Sequence, residues 1–404
     1  MGRLPSTFMR IRHSLIVVLA AATAAVGCGG NGSPGVSATS GGESVSATSA
    51  ASVTTPESLP ESPAAPASAP VCGDDLLASL TLRQKLAQLL NVGVTGSEDA
   101  LAVVRSEQIG GIFIGSWTDM SMLANREIPA VAAQSPLPLM VTIDEEGGRV
   151  SRVGELLGED PSARVTARTM TVDETYAMAL ERGRELRELG ITVDFAPDVD
   201  VTDRPDGDVI GDRSFSDDPQ VVVQYADAYA RGLRDAGILP VLKHFPGHGS
   251  ASGDSHTGAV VAPPFEQLQQ IDLVPYRELV TSGVAVMIGH LDVPGLTDGR
   301  PASISPAAVR LLRDGTGYGA PPFDGVIFTD DLSGMRAITD NYGIAEAVEA
   351  ALTAGVDQAL WLTTDQVPAV LDHLEQSVQS GALPAARVDE AVRTVVRAKG
   401  ALGC

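Results

Sequence analysis

The chain of 404 residues carries 28 basic and 51 acidic side chains, which gives a formal net charge of −23 at neutral pH. A charge of this sign argues against nucleic acid and against anionic surfaces as binding partners. The apolar fraction of 44% and the charged fraction of 20% are typical of a globular protein with a buried core. Because aromatic residues are sparse, Val, Leu, Ile and Ala must build most of that core.

Residues 1–27 are predicted to be a secretory signal. Basic residues precede the apolar run SLIVVLAAATAAVG, which is too short for a comfortable membrane span. The segment AVGC at 25–28 resembles a bacterial lipobox, in which Cys28 is acylated and becomes the mature N-terminus. This resemblance predicts a protein held by lipid chains at the outer face of the cytoplasmic membrane, within the cell envelope. Plain secretion with cleavage nearby is the alternative.

Residues 28–71 are predicted to be a disordered tether, because a segment made almost entirely of Gly, Ser, Ala, Thr, Val and Pro cannot bury enough apolar surface to fold. The compact region then spans residues 72–404. Cys72 and Cys404 stand at its two ends, in a compartment that permits disulfides. We expect them to pair and to join the termini of the domain; two free thiols are the alternative.

Strand-like apolar runs alternate with amphipathic helical patterns from Cys72 onward. The strand candidates are IGGIFIG (109–115), PLMVTIDEE (138–146), ITVDFAPDVDV (191–201), GILPVLKHF (237–245), GVAVMIGHLD (283–292), GVIFTDDL (325–332) and DQALWL (357–362). The helical patterns include ETYAMALERGRELRELG, VVVQYADAYARGLRDAG, SPAAVRLLRDG and IAEAVEAALTAG. Gly190, Gly237 and Gly355 follow three of these helices, where they would suit left-handed C-caps.

The strand candidates lack regular polar alternation, which indicates strands buried on both faces, as in a parallel sheet. Repeated β-α units of this kind predict an α/β protein with one catalytic domain, a (β/α)8 TIM-like barrel. A doubly wound open sheet is the alternative fold.

Pairs of polar residues stand at the ends of five strand candidates. In a barrel these strand ends meet at one rim, and that rim is where active sites lie. The alternative is that the ends are polar only because water surrounds them. The pairs are Asp144 and Glu145, Asp198 and Asp200, Lys243 and His244, His290 and Asp292, and Asp330 and Asp331.

The stretch KHFPGHGSASGDSH at 243–256 contains three of the six histidines of the chain. Pro246 and the neighbouring glycines prevent a regular helix there, and no cysteine lies nearby, so we expect no metal site. Asp254 and His256 are better suited to proton transfer, because a carboxylate beside an imidazole holds its tautomer and stabilises its protonated form. On spacing alone, however, most such pairs are solvated loop residues.

The same stretch, KHFPGHG followed by DSH, resembles the signature of glycoside hydrolase family 3 in its β-N-acetylglucosaminidase branch. Three other segments resemble motifs of that family in the expected order: IDEEGGRVSR (143–152), VIGDRSFSDDP (209–219) and VIFTDDLSGM (326–335). Together the four segments extend over most of residues 75–400. One departure is Ser250, where the family often has an aspartate.

The resemblance implies a role for each matching residue. Asp330 would be the catalytic nucleophile, and His256 the general acid and then the general base, with Asp254 orienting it. Neither a metal nor an organic cofactor is needed for this chemistry. His290 and Asp331 are expected to support the site. The terminal sugar would be bound by Asp144, Arg152, Arg213, Lys243 and His244.

The resemblance also implies an activity. We expect a retaining exo-β-N-acetylglucosaminidase that acts as a monomer on terminal β-linked N-acetylglucosamine, chiefly in GlcNAc-MurNAc fragments of peptidoglycan. Three alternatives stay open: a β-glucosidase or broad β-hexosaminidase, a phosphorylase of the same family, and a non-catalytic sugar-binding envelope lipoprotein. The small residues of SASG further predict a loop that moves and brings His256 to the substrate.

The lipobox resemblance predicts that Cys28 carries the lipid. In cells fed an alkyne fatty acid, the wild-type chain should be labelled and recovered with membranes, because acyl chains partition into the bilayer. The Cys28→Ala variant should lose the label, and Cys72→Ala should keep it. Undiminished labelling of Cys28→Ala would contradict the prediction.

Overall fold

The computed structural model describes residues 73–400, which belong to one compact unit. The predicted signal at 1–27, the tether at 28–71 and the acylated Cys28 lie outside these described residues. The predicted Cys72–Cys404 pair also lies outside them, so these expectations remain predictions.

Eight parallel strands form one sheet within residues 73–400, and they follow chain order around it. A parallel bridge between Phe328 of β9 and Gln358, which directly precedes β10, joins the last two strands of the chain and closes the barrel. The strands are β1 (Leu90–Gly93), β2 (Gly111–Ile114), β3 (Met140–Ile143), β4 (Val193–Asp194), β5 (Leu239–Phe245), β7 (Ala285–Ile288), β9 (Ile327–Thr329) and β10 (Ala359–Trp361). A separate parallel pair, β6 (Val260–Val261) and β8 (Leu291–Asp292), lies beyond the barrel strands.

Helices connect the strands. They are α1 (Asp74–Ser79), α2 (Leu82–Ala87), α3 (Ser97–Glu107), α4 (Ser121–Ala124), α5 (Ile128–Ala132), α6 (Gly154–Leu157), α7 (Ala163–Thr169), α8 (Val172–Glu188), α9 (Pro219–Asp235), α10 (Phe265–Leu268), α11 (Val274–Leu279), α12 (Pro306–Asp314), α13 (Arg336–Thr339), α14 (Ile344–Ala354), α15 (Val367–Ser380) and α16 (Ala385–Ala398). Short 3-10 helices occupy Gly211–Arg213, Ala302–Ile304 and Thr316–Tyr318. Among residues 73–400, no helix combines the length and the apolar character that a membrane crossing requires.

The barrel interior is filled by side chains. Phe195 stacks on Phe113 with ring centroids 5.7 Å apart and meets the edge of Phe328 at 5.2 Å. Phe113 and Phe195 also line the cavity at the carboxyl ends of the strands. The packed aromatic layer therefore forms the floor of that cavity, as expected of a barrel whose centre is a core rather than a pore.

The prediction of a (β/α)8 barrel is confirmed, and the open-sheet alternative is wrong. Two details differ from the sequence-based prediction. The strand β1 is absent from the predicted set, because its four residues continue an apolar run that has helical spacing. The predicted strand 191–201 is shortened to the two residues of β4, since Pro197 has no N–H for the ladder and the chain then turns towards the rim.

The predicted helix ends are confirmed at three glycines. Gly190, Gly237 and Gly355 follow α8, α9 and α14 with φ values of +93°, +84° and +116°. Only glycine adopts this left-handed region without a steric cost, so these residues end the helices and return the chain to the next strand.

Candidate active site

A cavity of about 400 Å³ opens at the rim formed by the carboxyl ends of the strands. Asp144 follows β3 directly, Lys243 lies near the end of β5, and Asp330 follows β9. Arg213 reaches the cavity from the loop after β4. Four of the barrel strands thus deliver charged side chains to one space, as the polar strand ends predict.

An ionic cluster forms one wall of the cavity. The Lys243 ammonium lies 2.7 Å from Asp144 Oδ1 and 2.5 Å from Glu146 Oε1. Arg213 donates from Nε and Nη2 to the two oxygens of Glu146 at 2.8 and 2.9 Å, a bidentate contact that fixes the guanidinium plane. Asp144 also lies 3.5 Å from Arg152. These contacts tie the ends of β3, β4 and β5 together.

The cluster holds Glu146 and Lys243 in their charged forms. Burial raises the pKa of Glu146, but the attraction of Arg213 and Lys243 is stronger and holds that pKa well below its usual range. Burial lowers the pKa of Lys243, and the neighbouring carboxylates of Asp144 and Glu146 outweigh it, so that the pKa is raised. Fixed charged donors of this kind are suited to binding the hydroxyl groups of a polar ligand.

The sequence analysis includes Glu146 only within the segment IDEEGGRVSR and misses its place at the centre of this cluster. Glu145, the residue between Asp144 and Glu146, points away from the cavity and accepts N–H groups of Arg152 and Val153 at 2.7 and 3.2 Å. Alternation along an extended segment puts residues two apart on the same side, which is the signal that could have found Glu146.

His244 is oriented by a buried carboxylate on one ring nitrogen and by a guanidinium on the other. Its Nδ1 lies 2.7 Å from Asp200 Oδ2, and its Nε2 lies 3.3 Å from the Arg213 guanidinium. Asp198, Asp200 and His244 offer three ligand atoms within 4.8 Å, as a metal site would. However, Arg213 lies 3.4 Å from Asp198, and its positive charge opposes a dication there. The arrangement fits the orientation of His244 better than metal binding.

Asp330 presents an ionised carboxylate to the cavity. Burial raises its pKa, but His244, His290, the N–H of Asp331 and Lys243 outweigh this and lower it below the usual value. The Asp331 N–H donates to Asp330 Oδ1 at 2.8 Å. An ionised carboxylate held in this way is a competent nucleophile.

Asp331 and His290 support the segment that carries Asp330. Asp331 accepts N–H groups of Ser333 and Gly334 at 2.8 Å, so its oxygens cap the turn after β9. His290 Nε2 donates to the Asp331 carbonyl at 2.7 Å, and its Nδ1 lies 2.7 Å from the Ser303 hydroxyl. Both nitrogens of His290 are therefore engaged within the protein.

Asp254 and His256 form a pair on the loop after β5. Asp254 Oδ1 lies 2.8 Å from His256 Nδ1 and accepts the His256 N–H at 2.9 Å. Burial raises the pKa of Asp254, but these two contacts and the charge of the imidazole outweigh it and lower the pKa. The His256 side chain is 62% exposed, so its Nε2 is open to a proton donor or acceptor. The pair lines the same cavity as Asp330.

The structure brings every predicted site residue with described coordinates to this cavity. Those residues are Asp330, His256, Asp254, Asp144, Arg152, Arg213, Lys243 and His244. The cavity is also lined by apolar side chains, including Trp117, which sequence reasoning missed although it closely follows the end of a strand candidate. A single cavity thus combines the ionised carboxylate of Asp330, an Asp–His pair, a charged wall and apolar side chains.

A barrel with a carboxylate and a proton-transfer pair facing one rim cavity is the class of protein in which glycosidases occur. The sequence matches the glycosyl hydrolase family 3 N terminal domain over residues 81–398. The chain therefore belongs to glycosyl hydrolase family 3, and it is a glycoside hydrolase.

Comparisons with individual proteins agree with this assignment. The chain is 55% identical over 396 residues to beta-hexosaminidase LpqI of Mycobacterium tuberculosis, covering 97% of this chain and 98% of that protein. The solved structure of M. tuberculosis LpqI superposes with a TM-score of 0.80 at 58% identity, covering 82% of this chain and 97% of that one. A family 3 β-N-acetylglucosaminidase from Paenibacillus superposes with a TM-score of 0.74 at 34% identity, over 80% of this chain and 63% of that one.

The ionic cluster generates a prediction for Glu146→Gln. We expect the free energy of unfolding to fall by about 3 kcal/mol at neutral pH, because two buried cations lose a shared carboxylate. Since folding lowers the pKa of Glu146, its contribution is present above the ordinary value of 4.5 and is lost as the pH falls below it. Denaturant unfolding of the wild type and of Glu146→Gln, at pH values above and below 4.5, measures the difference in the free energy of unfolding.

The control is Glu181→Gln, which removes an exposed carboxylate that pairs with Arg184 on the same helix. Its effect should stay within about 1 kcal/mol, as is usual for surface ion pairs. Equal stability losses in the two variants, or a Glu146→Gln loss that does not shrink in acid, would contradict the buried-cluster account.

Proposed function

We propose that this family 3 enzyme is a retaining exo-β-N-acetylglucosaminidase, a narrower activity than the general β-hexosaminidase class to which its relatives belong. The observation that carries the proposal is the shared cavity of ionised Asp330 and the Asp254–His256 pair. A cavity of about 400 Å³ with a closed aromatic floor suits one terminal sugar rather than the interior of a long chain.

The first step forms a covalent intermediate. Asp330 attacks the anomeric carbon as the glycosidic C–O bond breaks, and His256 gives its proton to the departing oxygen. The Asp254 carboxylate, hydrogen-bonded to His256 Nδ1, keeps the transferable proton of the imidazole on Nε2. It also stabilises the charged imidazolium until that proton is transferred. The leaving group departs as a neutral alcohol, and the sugar remains as an ester on Asp330.

The second step restores the enzyme. His256, now neutral, takes a proton from water, which attacks the anomeric carbon from the face that the leaving group vacated. Asp330 leaves as a carboxylate, and two displacements retain the configuration of the sugar. The low pKa of Asp330 favours its release as well as its attack.

Binding of the terminal sugar is assigned to the charged wall. Arg152, Arg213 and Lys243 can donate hydrogen bonds to hydroxyl oxygens, and the carboxylate of Asp144 can accept from hydroxyl groups. Because these groups are already fixed by one another, little reorganisation is needed when the sugar enters.

The substrate is proposed to be peptidoglycan fragments with terminal N-acetylglucosamine, such as GlcNAc-MurNAc and its peptide-bearing forms. The lipobox-like segment around Cys28 supports this, because a lipid-anchored monomer would meet such fragments in the envelope. The name of the Paenibacillus enzyme, a β-N-acetylglucosaminidase, supports the choice of sugar.

The loop after β5 is proposed to close over bound substrate. His256 is largely exposed, and small residues surround the Asp254–His256 pair, so the loop can shift without losing a packed core. Closure would bring the imidazole to the glycosidic oxygen and exclude water other than the attacking molecule.

The proposal is tested with aryl β-glycosides of N-acetylglucosamine and of glucose, with and without phosphate. We expect turnover of the N-acetylglucosaminide in the absence of phosphate. Phosphate-dependent turnover would indicate a phosphorylase, and preference for the glucoside would indicate a β-glucosidase. Failure to cleave either substrate would contradict catalysis by this site.

The two catalytic roles predict different responses to leaving groups. Asp330→Ala should reduce turnover of every substrate by about a thousandfold or more, because both displacements need the carboxylate. His256→Ala should reduce turnover by about a hundredfold for leaving groups that need protonation, and far less for acidic phenols. Steady-state rates across a series of aryl glycosides measure the difference.

His373→Ala is the matched control, because His373 lies on α15 and pairs with Glu349 away from the cavity. It should behave as the wild type. Equal losses for all leaving groups in His256→Ala would contradict the acid role, and near-normal rates in Asp330→Ala would contradict the nucleophile.

A further inference from the structure

Trp117 is the exposed aromatic side chain of the cavity. It is 42% exposed, whereas Phe113 and Phe195, which line the same cavity, are buried. Large apolar side chains with this degree of exposure are few among residues 73–400, and Trp117 is the one that lines the cavity. Its position at the opening therefore calls for an explanation other than core packing.

The indole ring of Trp117 packs against the backbone at two glycines. A Cβ added at Gly93 would lie 2.7 Å from Trp117 Cζ2, and one added at Gly115 would overlap the same six-membered ring. The ring of Phe113 supports it from the side, with centroids 5.8 Å apart. Glycines at the ends of two neighbouring strands thus make room for the ring to lie flat against the rim.

The turn that carries Trp117 is held rigidly. The Thr118 hydroxyl accepts the Gly115 N–H at 3.0 Å and donates to the Val94 carbonyl at 2.7 Å. The Asp119 N–H donates to the Thr95 carbonyl at 2.9 Å. Because the ring is already fixed, a ligand that contacts it does not have to order it first.

The position of Trp117 within the cavity indicates which part of a substrate it would contact. In an exo-acting enzyme the terminal sugar occupies the closed end of the cavity, above the buried aromatic floor. The scissile bond then points towards the opening, so a group at the rim meets what lies beyond that bond. His256, which would protonate the bridging oxygen, is likewise exposed and lines the same cavity.

We propose that Trp117 is the binding platform for the leaving-group sugar, the one beyond the cleaved bond. The inference rests on the proposed exo-glycosidase function and adds the second sugar to it. The apolar face of a pyranose carries axial C–H groups that pack on an aromatic ring, and the contact removes both from water. Trp117 thereby favours a saccharide leaving group over a small one.

Kinetics test the proposal through a comparison of two substrates. N,N′-diacetylchitobiose has a sugar beyond the scissile bond, and the β-fluoride of N-acetylglucosamine has none. Relative to wild type, Trp117→Ala should lower kcat/KM for the disaccharide about tenfold more than for the fluoride, as expected for the loss of one aromatic contact. Trp117→Phe should recover much of the difference, since it retains an aromatic face.

Val165→Ala serves as the control for loss of an exposed apolar side chain outside the cavity, and it should change neither substrate selectively. Equal losses on disaccharide and fluoride in Trp117→Ala would overturn the proposal and place Trp117 against the terminal sugar. Unchanged selectivity with unchanged rates would also overturn it. Absence of turnover of both substrates by the wild type would instead contradict the proposed function.

Fluorescence gives a readout that does not need turnover. The chain has two tryptophans, and Trp361 is fully buried, so acrylamide quenching reports chiefly on Trp117. In the Asp330→Ala background, the disaccharide should protect the emission from quenching, and N-acetylglucosamine alone should protect it much less. Adding Trp117→Phe should abolish the protection, because the remaining tryptophan is already shielded. Equal protection by both sugars would overturn the assignment to the leaving group.

Discussion

The ionic contacts that join Lys243, Glu146 and Arg213 hold the site together. They connect the end of β5 with the segments that follow β3 and β4, so each side chain fixes the positions of the others. The contacts are buried, where a charge without a partner is costly, and this makes the arrangement all-or-none. Removal of one member therefore affects the geometry of the whole wall and the charge of every group that remains.

The same cluster shapes the chemistry of the cavity. Lys243 and His244 help to lower the pKa of Asp330, so the proposed nucleophile is ionised although it lies partly buried. The Asp254–His256 pair is placed differently, on an exposed loop where the imidazole can exchange protons with solvent. In the proposed mechanism, the rigid charged wall and Asp330 bind and attack the sugar, whereas the exposed pair transfers protons. Retaining glycosidases more often use a second carboxylate for the latter task.

The sequence was sufficient for the barrel and for the strand-end residues Asp144, Lys243 and Asp330, because buried parallel strands and their polar ends leave local patterns. It was insufficient for β1, whose short run continues a helical pattern. Glu146 and Trp117 were missed for another reason. Their roles depend on contacts with residues that are distant in sequence. Glu146 pairs with Arg213, and the Trp117 ring packs against Gly93. Local pattern does not encode such pairings, although the i, i+2 relation of Asp144 and Glu146 was available.

The central claim is that Asp330 becomes covalently bonded to the sugar. A ring-fluorinated N-acetylglucosaminyl fluoride should accumulate the intermediate. The ring fluorine near the anomeric centre slows both steps, because it destabilises their oxocarbenium-like transition states. The fluoride leaving group restores the rate of the first step only, so the glycosyl-enzyme forms quickly and hydrolyses slowly. Mass spectrometry of the digested protein should then find one added sugar on the peptide with VIFTDDLSGM, at Asp330. A sugar found on another residue, or turnover of the reagent with inversion and no adduct, would contradict the account.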